Sequence, residues 1–333
     1  MTPGNLPVRT RQLTWQAHLE GFIVPFAHKG RHIALTTAIA ALFSLQGLAG
    51  ATPARAQYTY TPAQVAGMKF GYSTPTDGSL STGQAVDRQI SIYGAGVVRR
   101  YYSGFPAGWS TIDSQGHGLP TFVSFKVSPQ SVNSGQYDAA FAAWFKSAPR
   151  DRRSWWSFMP EPEDDIARGT YTAAQFRSAY SRLAGLSRTA GNPQLTSTLT
   201  LMAYTAGSCG RGSTRNILDY WPGGGNVDEI AFDCSNRGVG VGQYTDPAQM
   251  LTGARDAAKQ LGKPWGLGEI ESQLLPGDDG RQRAAWLIGV ARFVVANGGM
   301  FACYFDEKRA VDFRLIDSAS KAAWRSVVID QKP

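Results

Sequence analysis

From residue 68 onward, the sequence alternates between short apolar or aromatic runs and longer segments whose apolar residues recur at helical spacing. Each short run is bounded by glycine, proline, asparagine or aspartate, which is typical of buried strands separated by turns. Strands that alternate with helices predict βα units, in which helical crossovers join parallel strands. The predicted strands cover residues 68–74, 97–103, 119–127, 154–160, 197–205, 227–235, 263–271 and 299–306.

Several segments between these runs predict helices with recognisable ends. Thr172 is the N-cap candidate of a helix over 172–188, because a threonine hydroxyl there accepts a bond from a free backbone N–H. The segment 246–261 opens with Asp-Pro, an N-cap followed by proline at the first helical position. The segment 280–297 stops at an Asn-Gly-Gly run. Further helices are predicted at 82–95, 134–147 and 317–328.

Eight strand–helix units within residues 57–333 have the size and rhythm of a (β/α)₈ barrel. We therefore predict the α/β fold class, with these residues forming a single barrel domain. An open, doubly wound sheet is the alternative. That fold usually carries a glycine-rich phosphate loop after its first strand, and the segment 71–78 (GYSTPTDG) is not one.

Residues 1–56 read as an export signal rather than as part of the fold. A basic stretch at 29–31 precedes an apolar run over 33–51, which leads into Ala-Arg-Ala at 54–56. This order of segments is typical of a cleaved secretory signal peptide. A membrane anchor is the alternative, but threonine, serine and glutamine interrupt the run. We therefore expect a secreted, extracellular protein that begins at Gln57 and has no membrane association after cleavage.

The charge balance argues against a nucleic-acid partner. The whole chain carries 33 Lys/Arg and 25 Asp/Glu, but five of the basic residues and one of the acidic residues lie in the leader. The mature chain is left with 28 basic and 24 acidic residues, and the basic ones form no cluster. A basic patch is the usual footprint of nucleic-acid binding, so we expect none here.

Histidine is nearly absent from the mature chain, which limits the available chemistry. Of the four histidines, only His117 follows the leader, and the sequence contains no C-x-x-C motif. Metal-dependent phosphodiesterases and deacetylases typically need histidine and aspartate ligands. A Ser-His-Asp hydrolase would have to use His117 without a G-x-S-x-G motif. We therefore expect no metal and no cofactor.

The three cysteines leave two arrangements open. Cys209 and Cys234 each follow a predicted strand, so their loops could meet, and an exported protein can form disulfides. A Cys209–Cys234 disulfide and unpaired thiols are the alternatives. Cys303 lies inside an apolar strand, where we expect it to be a small buried hydrophobic residue.

Two glutamates stand where predicted strands end. Glu161 lies in PEPEDD, after the fourth strand, and Glu269 lies in GLGEIES, at the end of the seventh. Barrel enzymes carry their chemistry at the C-terminal ends of the strands. A carboxyl pair there can cleave a glycosidic bond, because one carboxyl protonates the leaving oxygen while the other attacks the sugar carbon or activates water. The pair predicts a glycoside hydrolase.

In this arrangement the sequence resembles the clan A glycoside hydrolases, whose acid/base glutamate ends strand four and whose nucleophile ends strand seven. The run Met-Pro-Glu-Pro at 159–162 stands where the clan often has Asn-Glu-Pro or His-Glu, and Gly-Glu-Ile at 268–270 matches its nucleophile pattern. Within the clan, the sequence most resembles secreted bacterial relatives of the family 26 mannanases. The resemblance implies a retaining hydrolase of a β-linked polysaccharide, with Glu161 as acid/base and Glu269 as nucleophile.

One position departs from the clan pattern. The polar residue usually found before the acid/base, which can bond the substrate 2-hydroxyl, is Pro160, and proline has no side-chain donor. A non-catalytic polysaccharide-binding barrel is therefore the alternative function. Glu163 and Glu271 share strand parity with Glu161 and Glu269, so alternation does not choose within each pair. We prefer Glu161 because a proline follows it, and Glu269 because the strand leads directly to it.

Other residues near strand C-termini are candidates for holding the substrate, since aromatic faces and polar tips can bind sugars. Packing in the barrel core is the alternative for each of them. The expected partner is a polysaccharide or oligosaccharide, and we expect a monomer. The candidate substrate-binding residues are Tyr72, Arg99, Tyr101, Tyr204, Asp233 and Tyr304.

Overall fold

Eight parallel strands close into a barrel in the computed structural model, which describes residues 58–75, 78–209, 214–236 and 242–331. Each strand pairs with the next one in the chain, and β8 pairs with β1. The predicted (β/α)₈ fold is confirmed. The strands are β1 (Phe70–Ser73), β2 (Val97–Tyr102), β3 (Thr121–Phe125), β4 (Ser154–Phe158), β5 (Leu195–Met202), β6 (Glu229–Asn236), β7 (Trp265–Ser272) and β8 (Ala302–Tyr304).

Helices surround the barrel. They are α1 (Pro62–Val65), α2 (Thr82–Tyr93), α3 (Trp109–Gly116), α4 (Pro129–Asn133), α5 (Asp138–Lys146), α6 (Pro162–Ala167), α7 (Ala173–Thr189), α8 (Pro247–Gln260), α9 (Arg281–Ala296) and α10 (Ser318–Asp330). Short 3₁₀ turns lie at Ala203–Ala206 and Ile217–Tyr220. Within the described ranges, no helix is long and apolar enough to cross a bilayer. The predicted export signal at 1–56 lies outside the described residues.

The helix starts follow the capping rules that the sequence contains. The Thr172 hydroxyl accepts a hydrogen bond from the backbone N–H of Gln175 at 3.1 Å, and the Gln175 side-chain oxygen accepts one from the backbone N–H of Thr172 at 2.8 Å. Asp246 caps α8 in the same sense, so both predicted N-caps are confirmed. The helix predicted over 134–147 is α5, which begins later, at Asp138, because Gly135 takes a positive φ of 80° before it. A separate short helix, α4, precedes this glycine.

Alternate residues of the strands face two different cores. Outward-facing side chains such as Phe70 pack against helices, here against Trp324 of α10. Inward-facing side chains fill the lower part of the barrel, where they form a separate apolar cluster. The cluster therefore closes the interior below, and polar side chains can collect at the C-terminal ends of the strands. Its members are Val97, Phe122, Trp155, Ala231, Phe301 and Cys303.

A β-bulge interrupts the pairing of β6 with β7. Phe232 pairs with Leu267, but Asp233 pairs with Glu269, so Gly268 is an extra residue on β7. A Cβ on Gly268 would lie 2.4 Å from Asp233 Oδ1 and 2.5 Å from Arg99 Nη1. Only glycine fits this position. Bulges re-aim the side chains beside them, and this bulge sets the position of Glu269.

The structure joins Cys209 and Cys234 through a disulfide, with their Cα atoms 5.9 Å apart. The bond connects the segment after the first 3₁₀ turn to β6. Cys303 is a free, buried thiol in the floor of the barrel. Of the two arrangements that the sequence left open, the disulfide is the one present in the structure.

Candidate active site

Glu161 stands at a sharp corner between β4 and α6. Met159 and Glu161 both have positive φ angles, of 47° and 55°, which are unusual for residues other than glycine. The Met159 N–H donates to the Phe125 carbonyl of β3 at 2.8 Å, and the Glu161 N–H donates to the Thr200 carbonyl of β5 at 3.1 Å. The corner is thus bonded to both neighbouring strands, and it leaves the Glu161 side chain partly exposed.

Glu269 faces two donors that come from β2. The Tyr101 hydroxyl donates to Glu269 Oε1 at 2.8 Å, and Arg99 Nη1 lies 3.3 Å from the same oxygen. Tyr101 and Arg99 are two residues apart on one strand and therefore share its inner face. Both donors favour the ionised form of Glu269.

Arg99 and Asp233 form a buried, two-pronged ion pair. The guanidinium nitrogens Nη1 and Nη2 donate to the two carboxylate oxygens at 2.7 and 3.0 Å. The guanidinium also lies over the rings of Tyr101 and Phe122, at 5.0 and 4.9 Å from their centres. A guanidinium held in this way is a fixed positive charge beneath the site.

Three carboxylates meet above this guanidinium. Glu161, Asp233 and Glu269 each place a carboxylate oxygen within 4.8 Å of the others. The structure therefore brings together both predicted catalytic glutamates and three of the predicted substrate-binding residues, Arg99, Tyr101 and Asp233. Three oxygens at this spacing could also hold a cation. Arg99 already occupies both oxygens of Asp233, so a cation would have to compete with it.

Burial and the charges of neighbouring carboxylates raise the pKa values of both glutamates. Burial, followed by the charge of Asp233, raises the pKa of Glu161 to about 8, while Arg99 opposes the shift. The same causes in the same order, with Glu161 as a further repulsive charge, raise the pKa of Glu269. Tyr101 and Arg99 stabilise charge on Glu269, whereas no described side chain donates to the Glu161 carboxylate. The contacts of Tyr101 and Arg99 therefore favour the ionised form on Glu269 rather than on Glu161.

The structure chooses one glutamate within each of the two pairs, Glu161/Glu163 and Glu269/Glu271, that strand parity left equivalent. Glu163 lies in the first turn of α6, fully buried. Its Oε1 accepts hydrogen bonds from the backbone N–H of Met202 at 2.8 Å and from the Thr205 hydroxyl at 2.9 Å. Glu271 is also buried and accepts a hydrogen bond from the Ser235 hydroxyl. Glu161 and Glu269 are thus the members that meet.

Tyr204 lies on the 3₁₀ turn after β5 and is partly exposed. Its hydroxyl donates to Asp164 Oδ1 of α6 at 3.2 Å and accepts a hydrogen bond from Arg215. The Arg215 guanidinium lies over the Tyr204 ring, 5.3 Å from its centre. These contacts place Tyr204 beside α6, the helix that follows Glu161.

Tyr72 and Tyr304 lie in the core rather than in the cleft that was predicted for them. The Tyr72 hydroxyl donates to the Gly94 carbonyl at 2.9 Å, and its ring packs on Tyr93 of α2. The Tyr304 hydroxyl donates to the Phe313 carbonyl at 2.7 Å, and its ring packs on Trp324. Both residues are fully buried. They occupy the outward-facing positions of β1 and β8, so they face helices instead of the carboxylates.

His117, the only histidine among the described residues, lies elsewhere. His117 is the C-cap of α3, where its ring nitrogens contact the Tyr58 carbonyl at 3.1 Å and Asp87 Oδ1 at 2.5 Å. These partners belong to α2 and to the segment before α1. Histidine chemistry therefore has no part in the carboxylate cluster.

Sequence reasoning did not assign roles to Gly268, Thr205 or the carboxyl of Glu163. Gly268 was visible as one of two glycines in Trp-Gly-Leu-Gly, but a bulge cannot be told from a regular strand in such a run. The bonds of Thr205 and Glu163 depend on how the corner after β4 meets the end of β5. The i, i+2 spacing of Arg99 and Tyr101 was the one sequence signal available, because it places both side chains on the same face of β2, the face from which they contact Glu269.

Neither a protein-family model nor a curated protein matches this chain. Solved glycoside hydrolase barrels do match its fold. The exo-β-1,4-mannosidase Op5Man5 from Opitutaceae bacterium strain TAV5 is 13% identical with a TM-score of 0.56, over 83% of this chain and 61% of that one. A family 5 xyloglucanase from Paenibacillus pabuli is 12% identical with a TM-score of 0.53, over 80% and 99%. Cel5A of Thermotoga maritima, solved with mannotriose, is 11% identical with a TM-score of 0.51, over 80% and 100%.

These comparisons establish the fold, and they confirm its predicted resemblance to the clan A glycoside hydrolase barrels.

Proposed function

We propose that this protein is a secreted, retaining glycoside hydrolase that acts on a β-linked polysaccharide, with Glu161 as acid/base and Glu269 as nucleophile. The observation that carries the proposal is the meeting of two carboxyls from β4 and β7, with oxygens within 4.8 Å of each other. Retaining glycosidases have carboxyl separations of about 5–5.5 Å, whereas inverting enzymes need roughly 6.5–9.5 Å to admit a water. The short separation favours direct attack by Glu269.

The proposed reaction has two steps. In the first, the Glu269 carboxylate attacks the anomeric carbon while protonated Glu161 delivers its proton to the departing glycosidic oxygen, giving a covalent glycosyl-enzyme. In the second, Glu161 takes a proton from water, whose oxygen attacks the anomeric carbon and releases Glu269. The pKa of Glu161, raised to about 8, suits a group that must first give a proton and then accept one.

Arg99 and Asp233 have a supporting role in this proposal. Arg99 lies 3.3 Å from Glu269 and stabilises its negative charge before attack. Asp233 holds Arg99 through two hydrogen bonds and also repels negative charge on Glu161. Asp233 and Arg99 act on the pKa values of both catalytic carboxyls, and the close contacts of Arg99 and Tyr101 with Glu269 distinguish it from Glu161.

A polysaccharide-binding barrel without turnover is the second candidate, and Pro160 is the observation that favours it. Pro160 is buried next to Glu161 and offers no side-chain hydrogen bond where clan A enzymes have a polar residue. An enzyme with this substitution needs another group to hold the substrate beside the acid/base. A protein that binds glycans without cleaving them would not.

The test is a hydrolysis screen of the chain from residue 57 onward on mannans, glucans and xylans, beside Glu161→Gln and Glu269→Gln. We expect activity in the parent and its loss in both variants. Glu229→Gln is the control, because Glu229 is a buried glutamate of the barrel that accepts hydrogen bonds from Arg153 and Trp155 away from the cluster.

Two further readouts separate the outcomes. A 2-fluoro glycoside should label Glu269, detected by peptide mass spectrometry, and NMR should show a product with retained anomeric configuration. Activity that survives both substitutions would contradict the assignment of Glu161 and Glu269 as the catalytic residues. Tight glycan binding without turnover in the parent would favour the binding barrel. Detection of the processed chain outside the cells that produce it would test export.

A further inference from the structure

Glu163 is a fully buried glutamate that the proposed reaction does not use. It lies two residues after Glu161, in the first turn of α6. Its Oε1 accepts hydrogen bonds from the Met202 N–H at 2.8 Å and from the Thr205 hydroxyl at 2.9 Å. Met202 ends β5, and Thr205 lies on the turn that follows. One carboxyl oxygen therefore ties α6 to the neighbouring strand.

The backbone that Glu163 ties down is strained. Left-handed backbone angles are unfavourable at residues other than glycine, and they persist only where the surroundings impose them. Met159 and Glu161 both have such angles, and Pro160 between them has no N–H to donate. The corner therefore depends on bonds from outside it, and Glu163 supplies two.

The position of Glu163 excludes a direct part in the chemistry. Its side chain has no exposed surface, and its Oε1 already accepts two bonds from the β5 side. Its Oε2 is buried without a hydrogen-bond partner among the described residues. Burial raises the pKa of Glu163 to about 7. A neutral carboxyl at this place still accepts both bonds through Oε1.

A second contact joins the same two elements. Asp164 of α6 accepts a hydrogen bond from Tyr204 at 3.2 Å and pairs with Arg215 at 2.8 Å. That contact lies on the exposed side of the turn, since Asp164 is 59% exposed. Exposed ion pairs contribute little to stability. The buried hydrogen bonds of Glu163 therefore contribute more than this contact to holding α6 against the end of β5.

We propose that Glu163 is a positioning residue that fixes the distance between Glu161 and Glu269 by anchoring the corner after β4 to the end of β5. The inference rests on the proposed glycosidase function, in which that distance governs proton delivery. Replacement of Glu163 should therefore impair the acid step selectively. A merely structural role would lower stability without changing which substrates are affected.

The first experiment compares Glu163→Ala with Glu163→Gln on aryl glycosides of the best natural sugar. Departure of a dinitrophenolate needs no acid, whereas departure of a poorer leaving group does. General acid catalysis is worth about 10²–10⁴-fold. We expect Glu163→Ala to lose at least ~10-fold in kcat/KM, which reports the first step, on the poor leaving group, with kcat/KM on the good substrate nearly unchanged. Glu163→Gln keeps an Oε1 acceptor and should recover most of the loss.

Glu229→Ala is the matched control, because it removes an equally buried glutamate that is bonded away from the cluster. It should lower stability without any dependence on the leaving group. Equal losses of Glu163→Ala on both substrates, or no loss in a folded variant, would overturn the inference. If Glu163→Ala does not fold, Thr205→Val removes one of the two bonds and should give the same selectivity in weaker form.

The second experiment does not depend on turnover. Titration of the Glu161 carboxyl by ¹³C NMR should give a lower pKa in Glu163→Ala than in Glu163→Gln. Both variants remove the Glu163 charge, which helps to raise the pKa of Glu161, but only a released corner moves Glu161 toward solvent and away from Asp233. Equal pKa values in the two variants would contradict the positioning role. If the parent hydrolyses no substrate, the proposed function fails while this measurement still decides the inference.

Discussion

Tyr101 on β2 donates a hydrogen bond to Glu269 on β7 across the mouth of the barrel, with 2.8 Å between Oη and Oε1. The Tyr101 ring also lies beneath the Arg99 guanidinium, whose Nη1 is 3.3 Å from the same carboxylate oxygen. Burial keeps the pKa of Tyr101 well above its usual value, although Arg99 opposes the shift. The hydroxyl is therefore a permanent donor that orients Glu269 and stabilises its charge.

Tyr101→Phe should reduce kcat/KM by about 10–100-fold. A hydrogen bond to a charged group is worth about 1.5–3 kcal/mol, and each 1.4 kcal/mol is tenfold in rate. Loss of the donor should also raise the pKa of Glu269 and move the acidic limb of the pH–rate profile upward. Steady-state kinetics across pH checks both effects. Tyr102→Phe, next along the strand, is the control, and an equal loss there would contradict the role of Tyr101.

Hydrolysis of substrates with poor leaving groups should fall as the pH rises through about 8. The pKa of Glu161 is raised to about 8 by burial and by Asp233, so its acidic form is present below that pH and lost above it. Asp233→Asn removes the repulsion and should move this limb to lower pH. The pH dependence of kcat/KM tests both statements. A rate that increases through pH 8 would contradict the assignment of Glu161 as the acid.

Glu161→Gln should become more stable relative to the parent as the pH rises from about 4.5 to about 8. The unfolded parent ionises Glu161 near 4.5, whereas the folded one resists ionisation until about 8. The free energy of unfolding of the parent therefore falls across this window by at most about 5 kcal/mol, whereas that of the variant does not fall for this reason. Urea denaturation at several pH values measures the difference. A difference that stays constant across these pH values would contradict the raised pKa of Glu161.

Gly268→Ala should destabilise the protein by about 3–5 kcal/mol and abolish activity. The added Cβ would lie 2.4 Å from Asp233 Oδ1 and 2.5 Å from Arg99 Nη1, which forces the buried ion pair apart. Thermal unfolding and a hydrolysis assay give the two readouts. Gly185→Ala is the control, because a Cβ there meets nothing within 4 Å on α7, and it should stabilise by about 0.5–1 kcal/mol. Equal behaviour of the two variants would argue against the bulge model.

The barrel was predictable because each unit carries its own local signals. Thr172 and Asp246 mark helix starts through capping chemistry, which depends only on neighbouring residues. The faces of the strands were not predictable. Both faces of a parallel barrel strand are buried, so the alternation of polar and apolar residues that would assign a face is missing. Tyr72 and Tyr304 were placed in the cleft for that reason, and they pack against helices.

The location of the site was predictable from the order of the strands, because the C-terminal ends of parallel strands meet at one end of a barrel. That rule brings Glu161 and Glu269 to the same end. It does not give the angles at Met159 and Glu161, which arise from bonds to β3 and β5. Nor does it give the bonds of Glu163, whose partners lie about forty residues further along the chain.

The extra residue on β7 means that the site depends on length as well as on residue identity. In a regular strand, Glu269 would take the place of Gly268, where its Cβ would lie 2.4 Å from Asp233 Oδ1. The bulge carries it one step higher, about 3.3 Å along the strand, to the level at which Glu161 leaves its corner. A β7 with one glycine fewer would keep every reacting residue and still fail to assemble them.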